Sequence, residues 1–365
     1  MSPVRRRRPH PQHARSFFLY GPWLYVALGV VALMLYGWPM MHALTTSRRP
    51  LDMVHGEVTA GTELLTQELD LAQVIQAVQR KPALGWWLGF WSVLIAGAAI
   101  AGILMTVRTV QRRRLASVFR YRPKLRRCWS LREFSRVALL AALVMGLLPF
   151  AFLSLIAWGF SQLTDPNVRN LASTVILDGL LALIVWAFAT MKSPSPAAVL
   201  GLTVPKNARP VLQGLVGYVA VFPWVFGLLW LIARTCQELG IQPPIEPIHQ
   251  LLFLDNRLSV IGLTLVLACV VGPVVEELFF RGILYVAVRR HASRLVAMLV
   301  SGSFFAAMHS NLIGFLPILL LGCFLADLYE RTGSLIAPIT VHILHNTLLI
   351  GVGLTIKAIL LQTAG

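Results

Sequence analysis

Nine stretches of this chain are apolar for long enough to cross, or nearly cross, a lipid bilayer. They lie at 17–38, 84–107, 134–160, 171–191, 211–233, 257–280, 295–309, 312–328 and 334–356. A helical span needs about 20 residues, because the hydrocarbon core is about 30 Å thick and each residue rises about 1.5 Å. Inside lipid, every backbone polar group must be satisfied within the protein, so such runs fold as helices. The expectation is an all-α, polytopic transmembrane helix bundle of about 8–9 spans. The seventh and eighth runs are short and read as a tilted pair buried within the bundle. Composition agrees: only 13% of residues are charged, where a soluble domain carries about 25%. The first run follows the basic stretch MSPVRRRRPHPQHAR. It is too long for a signal core and has no small-residue cleavage site, so it reads as an uncleaved anchor.

The net charge of +17 would suggest nucleic acid in a soluble protein. Here the basic residues gather between apolar runs, and topology explains them better. Between Arg108 and Arg136, eleven Lys and Arg residues face the single acid Glu133. The positive-inside rule places this loop and the N-terminus in the cytoplasm, 39–83 and 234–257 outside, and Arg289, Arg290 and Arg294 inside. In the outer segment, Leu64, Leu65, Leu69, Val74, Ile75 and Val78 recur at roughly helical intervals. They predict a short amphipathic helix, lying on the membrane surface or docked on the protein. The four cysteines are scattered and form no CxxC, which removes a disulfide framework and a thiolate metal site. The implied partners are the lipid bilayer and no nucleic acid.

Polar residues inside apolar runs concentrate in the last hundred residues. In VGPVVEELFFRGILYVA, Glu277 and Arg281 stand at i,i+4 and can pair along one face. Glu276 points elsewhere, and the residue four beyond it is Phe280. The plain alternative is two solvated acids at a helix end. Further on come His309, then His342, His345 and Asn346. His342 and Asn346 share a face, with His345 offset from it. A lone histidine in an apolar helix is usually a satisfied core residue, but ionisable groups gathered in neighbouring spans point to function. A carboxylate in such a cavity can act as a general base on water, a histidine can share the proton, and imidazole and amide N–H groups can hold an oxyanion. The same histidines and carboxylates suit zinc as ligands. Other intramembrane hydrolases are poorly matched. No HExxH occurs, Ser301 in LVSGS lacks the glycine two residues before a nucleophilic serine, and Asp178 in ILDGLL lacks the GxGD pattern.

Three motifs in order, Glu276-Glu277-x-x-x-Arg281 with Gly282, Phe305-x-x-x-His309 and His342-x-x-x-Asn346, resemble the CPBP (CAAX protease and bacteriocin-processing, or Abi) family of intramembrane endopeptidases. Type II CAAX prenyl endopeptidases are among its members. The run LGCFLADLYERTGSLIAPITVHILHN is similar as well, with Tyr329, Thr332, Gly333, Ser334 and Pro338 in expected places. The resemblance covers roughly residues 255–350. It divides the chain into an N-terminal membrane region, 1–250, and a catalytic helix core, 251–365. It implies Glu276 as the base activating water, helped by His309, with His342 and Asn346 stabilising the oxyanion and Glu277 and Arg281 in support. The family was long described as metalloproteases. A metal-free glutamate mechanism is the reading its architecture favours, while a zinc site would use Glu276, His309 and His342. The implied substrate is a protein or peptide, and the arginine-rich terminus without an organelle signal suggests a bacterial inner membrane. A non-catalytic scaffold or immunity-type protein of the same fold is the alternative. A transporter with a proton relay is a third reading, against which no paired half-repeats with broken helices are found.

Overall fold

The computed structural model describes residues 70–112, 128–159, 165–203, 209–240, 251–252, 255–309 and 313–363. The apolar run 17–38, most of the outer segment 39–83, the centre of the basic loop and the Pro-rich stretch 241–250 lie outside these residues. Every regular element described is helical: α1 (Leu71–Arg80), α2 (Pro82–Arg112), α3 (Leu131–Gly159), α4 (Pro166–Lys192), α5 (Pro196–Leu200), α6 (Arg209–Glu238), α7 (Leu258–Arg289), α8 (Arg294–Met308), α9 (Phe315–Thr332) and α10 (Ile336–Thr363). Five of them, α2, α4, α6, α7 and α10, are long and apolar enough to cross a membrane. The chain is a helical, multi-pass membrane protein. The short runs expected at 295–309 and 312–328 are α8 and α9, which pack against each other as a pair. Helix α8 is not buried within the bundle as expected, since Leu295, Val296, Leu299, Phe304 and Met308 on its outer face are exposed.

Local chemistry explains where the helices begin and end. Asp165 caps α4, its carboxylate accepting from the backbone N–H groups of Asn167 and Val168, with Pro166 in the first turn. Asp70 and Gln73 form a reciprocal capping box on α1. The inner face of α1, Val74, Ala77 and Val78, packs on Leu84, Leu88 and Ile359. Of the two placements open for this helix, docking on the protein is the one found. Helix α9 ends at Gly333, whose φ of 65° suits glycine. The following turn is pinned to Gly201: Leu335 N and the Ser334 hydroxyl both donate to the Gly201 carbonyl. That turn fixes where α10 starts, and thereby the height of His342.

Helices approach closely where side chains are small. Gly302 of α8 faces Gly322 of α9, and a Cβ at Gly322 would sit 3.0 Å from the Gly302 Cα and 3.3 Å from Arg281 Nη2. Gly214 lets α6 meet α10, where a Cβ would come within 2.7 Å of the Ala337 carbonyl. This small-residue packing is what membrane helices use in place of a hydrophobic driving force. At one end of the bundle, charges pair among themselves. Lys192 binds Glu133 at 2.7 Å, Arg289 binds Glu330 at 3.3 Å, and Asp327 holds both Arg294 and Arg331.

Candidate active site

Helix α7 carries the acids in an unusual stretch. The turns Leu267–Val271 and Phe280–Tyr285 are widened to π geometry, and the α-helical segment Gly272–Phe279 lies between them. Pro273 has no N–H for a normal α bond. The neighbouring Gly272 N–H reaches Leu267 O, five residues back, so the widened turn absorbs the defect. Such π-bulges are frequent at functional sites. The second widened turn is tied to α8, where the Ser301 hydroxyl donates to Phe280 O at 3.1 Å. Ser301 is wholly buried and serves packing.

Glu277 and Arg281, paired at i,i+4, are both wholly buried. Arg281 Nη1 donates to Glu277 Oε1 at 2.6 Å, and Nη2 donates to the Gly322 carbonyl of α9 at 3.0 Å. The Phe305 ring lies 4.4 Å from the guanidinium and adds a cation–π contact. His342 Nδ1 stands 3.1 Å from Glu277 Oε1. An ionised carboxylate only accepts, so Nδ1 carries the proton and Nε2 turns toward Glu276. The distance from Nε2 to Glu276 Oε2 is 3.7 Å, too long for a direct hydrogen bond. Arg281, Glu277, His342 and Glu276 therefore form one polar chain across α7 and α10. Glu276 is its only half-exposed member, and its Oε2 is buried without a hydrogen-bond partner.

This chain opens on a cavity of about 440 Å³. Glu276, His309, His342, His345 and Asn346 all line it, with Val225, Leu229, Leu321 and Leu349 among its apolar walls. His309 ends α8; its Nδ1 donates to Phe305 O at 2.9 Å, which leaves Nε2 without a hydrogen bond among the described residues. Phe305 thus packs against Arg281, His309 and His342 at once.

Three placements differ from the sequence reading. The resemblance implies His342 as an oxyanion donor, yet its ring stands beside Glu276 and Glu277, because α10 turns this face to that step of α7. Asn346 Nδ2 donates to the Ala268 carbonyl at 2.8 Å, so one of its two N–H groups holds α10 to α7. His345, read as offset from the site, also lines the cavity, buried between the rings of Tyr218 and Phe226. Asp178 of α4 is a cavity residue that sequence reasoning set aside for want of a motif. Its only sequence signal was an acid in the middle of a span.

A zinc site would need Glu276, His309 and His342 to converge. Among the described residues no three His, Cys, Asp or Glu side chains do so.

Residues 259–348 match the family model described as type II CAAX prenyl endopeptidase Rce1-like. This segment, about a quarter of the chain, is similar to the Rce1-like family. All eight motif residues, from Glu276 to Asn346, fall within the Rce1-like segment, whereas Asp178 lies far outside it. The chain is 30% identical over 93 residues to the Bacillus subtilis (strain 168) protein named "Putative membrane peptidase YdiL", covering 26% of this chain and 38% of that protein. It is 29% identical over 133 residues to an uncharacterized 24.3 kDa protein of Escherichia coli, covering 34% of this chain and 61% of the relative. The chain therefore spans between about two fifths and three fifths of the length of these relatives. No solved structure matches it.

Proposed function

We propose that this protein is an intramembrane endopeptidase that hydrolyses peptide bonds of a protein or peptide substrate with water activated by Glu276. The observation that carries the reading is the buried chain Arg281–Glu277–His342–Glu276, which ends at a carboxylate facing a cavity within the bundle. Arg281 donates to Glu277 and fixes its carboxylate. Glu277 holds the His342 ring, so that its Nε2 faces the base. Glu276 takes a proton from water as the water oxygen attacks the substrate carbonyl carbon. The developing oxyanion is held by the second N–H of Asn346 at the cavity wall, while His309 Nε2, an acceptor when Nδ1 donates to Phe305 O, helps Glu276 hold the water. Glu276 then returns the proton to the leaving nitrogen as the C–N bond breaks, which restores the carboxylate.

No step runs through a metal, because the candidate donors do not converge. The scaffold alternative is disfavoured by the same geometry. A scaffold gains nothing from an unpartnered carboxylate oxygen buried at membrane depth.

The test compares new N-termini in membranes carrying the wild-type protein or Glu276→Gln. Removing a general base costs about 10²–10⁴-fold in rate. Products present with the wild type should be lost with Glu276→Gln at equal protein level, and chelation of the purified wild type should leave cleavage intact. Identical product sets for wild type and variant would refute the protease reading and favour the scaffold.

A further inference from the structure

Helix α4 brings into the cavity an acid that hydrolysis leaves unused. Asp178 lies roughly 18 Å along the axis from Pro166 and roughly 21 Å from Lys192, the two ends of α4, so it sits near mid-bilayer. It lines the cavity with Thr174, one turn before it, and with Glu276. It makes no hydrogen bond or ion pair among the described residues. Glu276 lies close enough for the two charges to interact.

The cavity holds no fixed cation to balance these acids among the described residues. Arg281 is wholly buried behind the wall and engaged with Glu277 and Gly322. The other titratable groups on the walls are His309, His342 and His345. His345 is 7% exposed with an unpartnered Nδ1, and Tyr218 of α6 packs on it. The rest of the wall that α6 and α9 contribute is apolar: Val225, Leu229, Pro317, Ile318 and Leu321. Carboxylates in such surroundings are costly until a positive charge joins them.

We propose that Asp178 is a specificity residue that takes a lysine or arginine side chain of the substrate, beside an apolar residue seated against the α6 wall. The inference rests on the cavity being the peptide site, and it leaves Glu276 free to hold water.

Binding tests it without cleavage. The full-length protein in lipid nanodiscs is titrated with acetyl-Leu-Leu-Lys-Leu-Leu-amide and with the same peptide carrying norleucine for lysine. The wild type should bind the lysine peptide at least about tenfold more tightly, Asp178→Glu should keep that preference, and Asp178→Asn should bind the two within about twofold. Asp178→Asn removes an unpartnered charge from a span, so folding should survive, and size-exclusion elution checks it. Equal affinities in the wild type, no binding of either peptide, or a preference that persists in Asp178→Asn would each overturn the proposal. A protein that discriminates but does not cleave refutes the protease reading alone; one that cleaves without discriminating refutes only the role of Asp178.

Discussion

Arg281 occupies a place that no unpaired charge can hold: wholly buried, with Glu277, the Gly322 carbonyl and the Phe305 ring around it. Breaking a buried pair from one side strands the other charge and costs about 3–5 kcal/mol. Arg281→Ala should therefore lower both folded yield and cleavage, the yield read by size-exclusion chromatography in detergent. Replacing both partners separates the two roles. Glu277→Leu with Arg281→Met should recover the yield, since apolar replacement of a buried pair is often neutral, yet cleavage should stay low because His342 has lost the acid that orients it. Recovery of cleavage in the double variant would remove Glu277 from the catalytic chain. The Glu277–Arg281 pair was legible in the sequence, because i,i+4 spacing is a local property of one helix. The contact of His342 with both acids was not, because it depends on the rotation of α10 about its axis. Asp178 was still less legible: it reaches the cavity from a helix nearly one hundred residues earlier.

At the scale of elements, five of the nine expected apolar runs match described helices long enough to span, and hydropathy located the short helix α8 as well. The runs expected at 171–191 and 295–309 correspond to Asn167–Lys192 and Arg294–Met308. It could not show that α7 has widened turns on both sides of the acids, since apolar residues permit α and π geometry alike. Gly272–Pro273 was the one local hint. Nor could it show which glycines are crossings. Gly322 is one: it meets Gly302 and also presents its carbonyl to Arg281. A methyl group there would press on Gly302 Cα at 3.0 Å and on Phe305 at 3.2 Å, so the neighbours must shift, and overpacking a closely packed site costs about 1–3 kcal/mol. Gly322→Ala should lower the melting temperature in detergent, whereas Gly262→Ala, where a Cβ meets nothing within 4 Å, should leave it unchanged. Equal effects would mean that the α8–α9 crossing is not tight.

For the whole molecule, the paired charges Lys192–Glu133, Arg289–Glu330 and Arg294–Asp327 all lie at helix ends that the positive-inside rule assigns to the cytoplasm. Reporter fusions after His291 and after Gly240 should therefore sit on opposite sides of the membrane, cytoplasmic and external in that order. The same side for both would break the span count between α6 and α8. The cavity draws on α4 and α6 as well as on the Rce1-like segment, so the part of the chain before residue 250 helps to build the site.

The shortness of α8 has a consequence for the lipid around it. With 15 residues it reaches about 22 Å, against a hydrocarbon core of about 30 Å. Where its outer face meets acyl chains, the bilayer must thin to match it, at a cost of fractions of a kcal/mol per Å of mismatch. Exposed Leu295, Val296, Leu299, Phe304 and Met308 supply that face, and His309 sits at its end. Thinning would bring interfacial water toward the cavity that His309 lines and shorten the path of a hydrophilic peptide to it. Turnover measured in phosphatidylcholine bilayers of increasing acyl length should fall as the membrane thickens, while an equal rate in thin and thick bilayers would show that neighbouring protein shields α8 from the lipid.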